Sequence, residues 1–230
     1  MLWFGWFGFN GGSGAAADGR AGIASMNTTI SAATAGLIWV ILDFRHHKKL
    51  SALGFCSGAV AGLVGVTPAA GFIDVGSAVA IGAICALACN YAITFKLKLG
   101  YDDALDAFGI HGVGGYIGCL LTGIFADNTV FPGGSGWFNR NWKQLYIQFC
   151  GATAGAAWSF TVTALVLLTM DKIPFLSLHV HPDNEHQGLD AAEVGELAYD
   201  FTDHIESVSM AAYLNTVHRI GEKTDVTIVN

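Results

Sequence analysis

The chain has 230 residues, 53% of them hydrophobic and only 13% charged, with 30 glycines and a formal net charge of −7. Soluble domains carry about 25% charged residues and about 7% glycine. This composition, with a mean hydropathy of +0.49, therefore argues against an ordinary soluble domain and for an all-α polytopic membrane protein. The negative charge is local. In residues 176–230, ten acidic side chains face only Arg219 and Lys223, so that region carries −8 and residues 1–175 carry +1. Neither region has the basic surface that a nucleic-acid partner requires.

The opening segment, Met1 to Ala17, is uncharged and starts MLWFGWFGFNGGS. The first basic residue is Arg20, so the positive leading region of a secretory signal is missing. The segment reads as the second half of a buried or membrane-spanning helix. Trp6, Phe9 and Ser13 stand at i, i+3 and i+7, which places them on one helical face. An aromatic face can hold a cation, an attraction worth about 2 kcal/mol or more when dry, and a neighbouring hydroxyl can accept a hydrogen bond from an N–H donor. The same residues also suit an interfacial aromatic belt, and spacing alone leaves both readings open.

Five uncharged runs follow, at residues 21–42, 51–73, 75–95, 107–126 and 145–170. A bilayer core needs about 20 apolar residues per helix, and each run meets that length. The sequence thus predicts five full transmembrane helices after one partial helix. The short alternating strands of a membrane barrel are not seen. Gly8/Gly12 in the opening segment and Gly58/Gly62, Gly114/Gly118 and Gly151/Gly155 in the runs form small-xxx-small pairs that let helix backbones approach in lipid. Pro68, in GVTPAAG, has no N–H for the Val64 carbonyl and should bend or end its helix. Cys56, Cys85, Cys89, Cys119 and Cys150 all fall in the runs and read as small packing residues, not a disulfide framework.

His111, in DAFGIHGVGG, is the ionisable residue inside an uncharged run. Intramembrane ionisable residues generally face a cavity or pathway, although a neutral histidine hydrogen-bonded between helices also fits. Asp106 lies near the start of the same helix, where a carboxylate favours the positive end of the helix dipole. A capping role and a direct functional role both suit it. His46 and His47 sit in a basic turn, DFRHHKK, and His179, His181 and His186 follow the last run. A zinc site needs more support than that spacing gives, so no metal or other cofactor is expected. No phosphate-cradling loop or nucleophile elbow is present, and an enzyme is not indicated.

Loop charge sets the orientation. Arg45, Lys48, Lys49, Lys96, Lys98 and Lys172 lie on one side, against Arg20, Arg140 and Lys143 on the other. The positive-inside rule makes the first side cytoplasmic, together with the tail. Two regions are expected: a membrane part over residues 1–175, and a cytoplasmic tail over 176–230, partly disordered after about residue 205.

At GWFGFNGGS, GFCSGAVAGLVGVTPAAGFI, LDAFGIHGVGGYIGCLLTGIFA and GLDAAEVGELAYDF the sequence resembles the ammonium transporter (Amt/Mep/Rh) family, most of all its fungal Mep branch. The blocks occur in the family's order. The resemblance implies an eleven-helix protomer made of two inverted halves and a last long helix, assembled as a homotrimer in the plasma membrane with a pore in each subunit. This chain would supply helices six to eleven, and the expectation is that five helices are missing upstream.

By the same resemblance, Phe9 matches one of two stacked phenylalanines closing the outer pore, and Ser13 matches the hydroxyl of the external ammonium recruitment site. His111 matches the second of the twin pore histidines. Asp103 and Asp106 match acidic positions near the cytoplasmic end of that helix. Gly188, Leu189, Asp190, Gly195, Glu196 and Tyr199 match a tail motif that couples the pores to regulation. The implied activity is ammonium transport with deprotonation before passage. Two rivals remain: an ammonium sensor, or a non-transporting fragment that associates with full-length subunits.

Overall fold

The computed structural model describes residues 1–173, 175–176, 178–181, 184–185 and 188–196. Tyr199 and His186 lie outside the described residues. The chain divides into two compact units, Met1–Val162 and Thr163–Asn230. Among the described residues the regular structure is helical.

Helix α1, Leu2–Trp6, runs directly into a π-helical turn at Phe7–Gly11. Asp18 then caps α2, Gly19–His47, by accepting the Arg20 and Ala21 N–H groups at 3.0 and 3.2 Å. This cap satisfies donors that a helix start leaves orphaned. At its other end Arg45, His46 and His47 occupy the last turn, where positive charge suits the negative end of the dipole, and Lys48 closes the helix in a left-handed conformation. Ser51 caps α3, Ala52–Val66, and Asp74 caps α4, Val75–Leu99. Gly100, at φ +69°, ends α4. A second π-helical turn, Phe108–Gly112, leads into α5, Val113–Phe125, and α6 covers Trp142–Met170.

Among the described residues, four helical segments are long and apolar enough to cross a membrane: Gly19–His47, Val75–Lys96, Phe108–Phe125 and Trp142–Met170. The run at 51–73 differs from the expected full-length helix. It is uncharged throughout, but its regular helix covers the 15 residues of α3 alone. Pro68 explains the stop, because its ring would strike the Val64 carbonyl and its nitrogen carries no proton. That carbonyl instead accepts the Thr67 N–H at 3.2 Å, and the Thr67 hydroxyl donates to the Leu63 carbonyl at 2.7 Å. The chain beyond is then tied to α2 by Asn27, which is fully buried and donates its amide to the Ala70 and Ile73 carbonyls at 2.9 and 2.8 Å.

Helices α2 to α5 pack backbone against backbone. A methyl group built on Gly62 would lie 2.4 Å from the Ser31 carbonyl oxygen, and one on Gly118 would lie 2.2 Å from that of Gly65. The Ser31 hydroxyl adds a bond to the Gly62 carbonyl at 2.9 Å. Gly58/Gly62 and Gly114/Gly118 are thus used as the sequence suggests. Around Gly8, Gly12, Gly151 and Gly155 nothing stands within 4 Å. The core they enclose includes Ala69, Ile73, Ala78, Ile81 and Cys85. Along α6 no residue is buried.

Candidate substrate pathway

Trp6 and His111 come together from opposite ends of the bundle sequence. Their rings stack at 6.4 Å between centroids with 25° between planes, and Phe9 meets Trp6 edge-on at 5.8 Å. The indole is oriented by a bond that spacing does not announce: its Nε1–H donates to the Thr67 hydroxyl at 2.8 Å. Thr67 closes α3 with a helical backbone at φ −49° and ψ −50°, so the end of that helix supplies the acceptor for Trp6. Pro68 follows Thr67 directly, where the regular helix has ended. Asn10 is another residue with no signature in the sequence. Buried on the turn after Trp6, it donates to the Thr28 hydroxyl at 2.8 Å and so fixes α1 against α2.

Ser13 lies beyond the π turn, and its hydroxyl donates to the Phe9 carbonyl, leaving its lone pairs available as acceptors. It lines a small cavity of ≈ 50 Å³ with Asn10, Arg20, Thr67 and Phe72. Arg20 is held over two rings, with its guanidinium carbon 4.3 Å from the centroids of both Phe72 and Phe131. The loop at 126–141 is anchored beside it through the Asp127 N–H, which donates to the Phe72 carbonyl at 2.8 Å. Outside the membrane segments, the Asp127 carboxyl is held below its ordinary value of 3.8. The Thr129 N–H is the main cause, followed by the Thr129 hydroxyl and the Asn139 amide.

At the other end, Asp103 caps the turn that bears His111. Its carboxylate accepts the N–H groups of Ala107, Phe108 and Gly109 at 2.8, 3.0 and 3.2 Å. Asp106 takes a left-handed backbone at φ +57°, a region open to Asp and Asn more than to most side chains, and pairs with Lys96 of α4. Asp103 and Asp106 are thus both engaged beneath His111. In the tail, Gly188 and Gly195 have φ of +97° and +78° and bracket a π-helical turn at Asp190–Val194, with Leu189 at its N-cap and Glu196 beyond it. No cluster of three metal-ligating side chains occurs among the described residues.

A family model, the Ammonium Transporter Family, matches residues 1–199. The chain belongs to the ammonium transporter family. It is 48% identical over 209 residues to the ammonium transporter MEP2 of Saccharomyces cerevisiae, a match that covers 87% of this chain and 42% of that protein. The crystal structure of Saccharomyces cerevisiae Mep2 is similar with a TM-score of 0.78 and 47% identity, over 86% of this chain and 46% of that one. That of Candida albicans Mep2 gives a TM-score of 0.75 at 47% identity, over 80% and 42%. The chain therefore spans less than half the length of these transporters, and it contains helices of an integral membrane fold.

Proposed function

We propose that this chain forms one wall of an ammonium pathway in the plasma membrane, crossed by ammonia after ammonium sheds a proton. The observation that carries the reading is the stack of Trp6 on His111, with Phe9 at its edge. Moving an intact ion into an apolar setting carries a desolvation cost of several kcal/mol. Ammonium can avoid it by releasing a proton at the outer end and regaining one at the inner end. Potassium cannot. A neutral imidazole can hydrogen-bond ammonia or hand on a proton without adding fixed charge, so discrimination arises from deprotonation and not from a carbonyl cage.

In this reading Ser13, Trp6 and Phe9 receive the cation at the outer end, by hydroxyl acceptance and ring attraction, and His111 lines the dry segment. The remaining wall, a trimeric assembly, surrounding lipid, and a cytoplasmic tail in which Gly188, Leu189, Asp190, Gly195, Glu196 and Tyr199 regulate the pore belong to the same proposal. The test is His111→Ala in the complete protein, with ammonium uptake and potassium exclusion both measured. Impaired uptake or a potassium leak is expected. Unchanged uptake together with unchanged exclusion removes His111 from the mechanism.

A further inference from the structure

Lys96 stands in the last turn of α4, where a lysine ordinarily extends its amine to water beside the membrane. Here the amine turns back into the protein. It donates both to the Asp103 carbonyl and to the Asp106 carboxylate, and only 15% of the Lys96 side chain remains accessible. Its two acceptors bracket the turn that starts the His111 helix. The Asp103 carbonyl also accepts the Asp106 N–H at 3.0 Å, and the Asp106 carbonyl accepts the Ile110 N–H at 2.9 Å. Ile110 immediately precedes His111.

We infer that Lys96 is a positioning residue for His111: by gripping Asp103 and Asp106 it fixes the height and rotation at which the π-helical turn presents the imidazole to Trp6. This inference rests on the proposed role of His111. The left-handed backbone at Asp106 explains why a grip is needed there. Such a conformation in a non-glycine residue costs about 1 kcal/mol or more and persists where its surroundings over-determine it. Other α4 residues continue the hold. Cys89 Sγ lies 3.6 Å from the Ile110 carbonyl, and a methyl group built on Gly109 would stand 3.0 Å from Ile93 Cγ1. Without Lys96 these contacts remain, so the helix stays docked, while the Asp103–Asp106 stretch that leads into it loses its tie to α4 and can shift. A shift there displaces His111 without dismantling the fold. Misplacement of a reacting group by about 1 Å can cost up to about 100-fold in rate.

The experiment reconstitutes the complete protein into liposomes and measures initial rates of radiolabelled methylammonium uptake, normalised to inserted protein. Lys96→Met is expected to lower the maximal rate about tenfold or more with KM unchanged, because the outer end of the pathway is untouched. Lys96→Arg restores most of that rate, since the guanidinium can reach both acceptors. Asp106→Asn lowers the rate less, and Lys96→Met with Asp106→Asn lowers it no further than Lys96→Met alone. A full maximal rate in Lys96→Met, or in Asp106→Asn should Lys96→Met not reach the membrane, overturns the inference. So does a loss that Lys96→Arg fails to restore. His111→Ala, measured alongside, separates the two levels. If it too transports and selects normally, the underlying role of His111 has failed, whereas a His111→Ala defect beside a normal Lys96→Met refutes the positioning role alone.

Discussion

Substituting Gly118 by alanine tests whether backbone contact sets the spacing of α3 and α5. The added methyl group would lie 2.2 Å from the Gly65 carbonyl oxygen, with the Gly65 carbonyl carbon and Cα at 3.0 and 3.1 Å. All three are backbone atoms, so no rotamer change relieves the overlap. Restoring an ordinary contact of 3.4 Å requires the helices to part by about 1.2 Å, the difference between the two distances. Overpacking of this kind costs about 1–3 kcal/mol. Gly115→Ala is the control on the same helix. Its methyl group would meet nothing nearer than Val64 Cγ1 at 3.8 Å. Both variants gain the same helix propensity, about 1 kcal/mol over glycine, so their difference isolates the overlap. The assay is the fraction of monodisperse protein surviving a temperature series in detergent. Gly118→Ala should melt clearly below Gly115→Ala, and it should also slow transport, because α5 carries His111 on its leading turn. Equal melting of the two variants would refute the reasoning.

Three further outcomes follow from named contacts. Thr67→Val removes the acceptor of the Trp6 indole at nearly constant volume; a cost of about 1 kcal/mol and a weaker affinity for ammonium are expected, seen as a raised KM in uptake assays. Asn27→Asp replaces the amide that donates to two buried carbonyls with a group that cannot donate when ionised, so it should destabilise far more than Asn27→Ala on the same heating series. Asp127, whose folded pKa lies below 3.8, contributes stability that is present above pH 3.8 and is lost as pH falls through the lower folded value. Asp127→Asn should flatten that part of the stability-versus-pH curve.

The spans were legible because a charge inside a bilayer is costly, so uncharged runs mark helices whatever their packing. Where those helices stop was less so. The run at 51–73 is apolar to its end, and only the steric demand of Pro68 shortens its helix. Likewise, small-residue spacing offers a close approach without naming the neighbour. Gly62 and Gly118 meet facing carbonyls, while Gly8 and Gly151 meet nothing nearby. The π turns at Phe7–Gly11 and Phe108–Gly112 leave the hydrophobic pattern unchanged and were invisible to it.

Lys96 shows the limit most clearly. Counting charges placed it on the cytoplasmic side, which is where a loop lysine belongs, but a count carries no direction, and the amine points inward. Thr67 and Asn10 gave no signal because their partners lie far along the chain. Residues singled out in the sequence meet these supports in the fold: Trp6 on Thr67, Asp106 on Lys96, and Asp103 on three N–H groups.

These supports have a common consequence for the proposed pathway. Asp103 is occupied by backbone donors, and the Asp106 charge is answered by Lys96. The Ser13 hydrogen is turned to the Phe9 carbonyl, which leaves oxygen lone pairs for an incoming N–H donor. The cluster of Trp6, Phe9 and His111 contains no carboxylate, lysine or arginine. A fixed carboxylate there would hold potassium as readily as ammonium, since charge alone does not separate ions of similar size. In the proposed pathway, an uncharged lining that includes the His111 imidazole would instead make proton release the condition of entry. Positioning the imidazole then matters more than adding charge beside it, and in this fold that task falls to backbone turns and to Lys96.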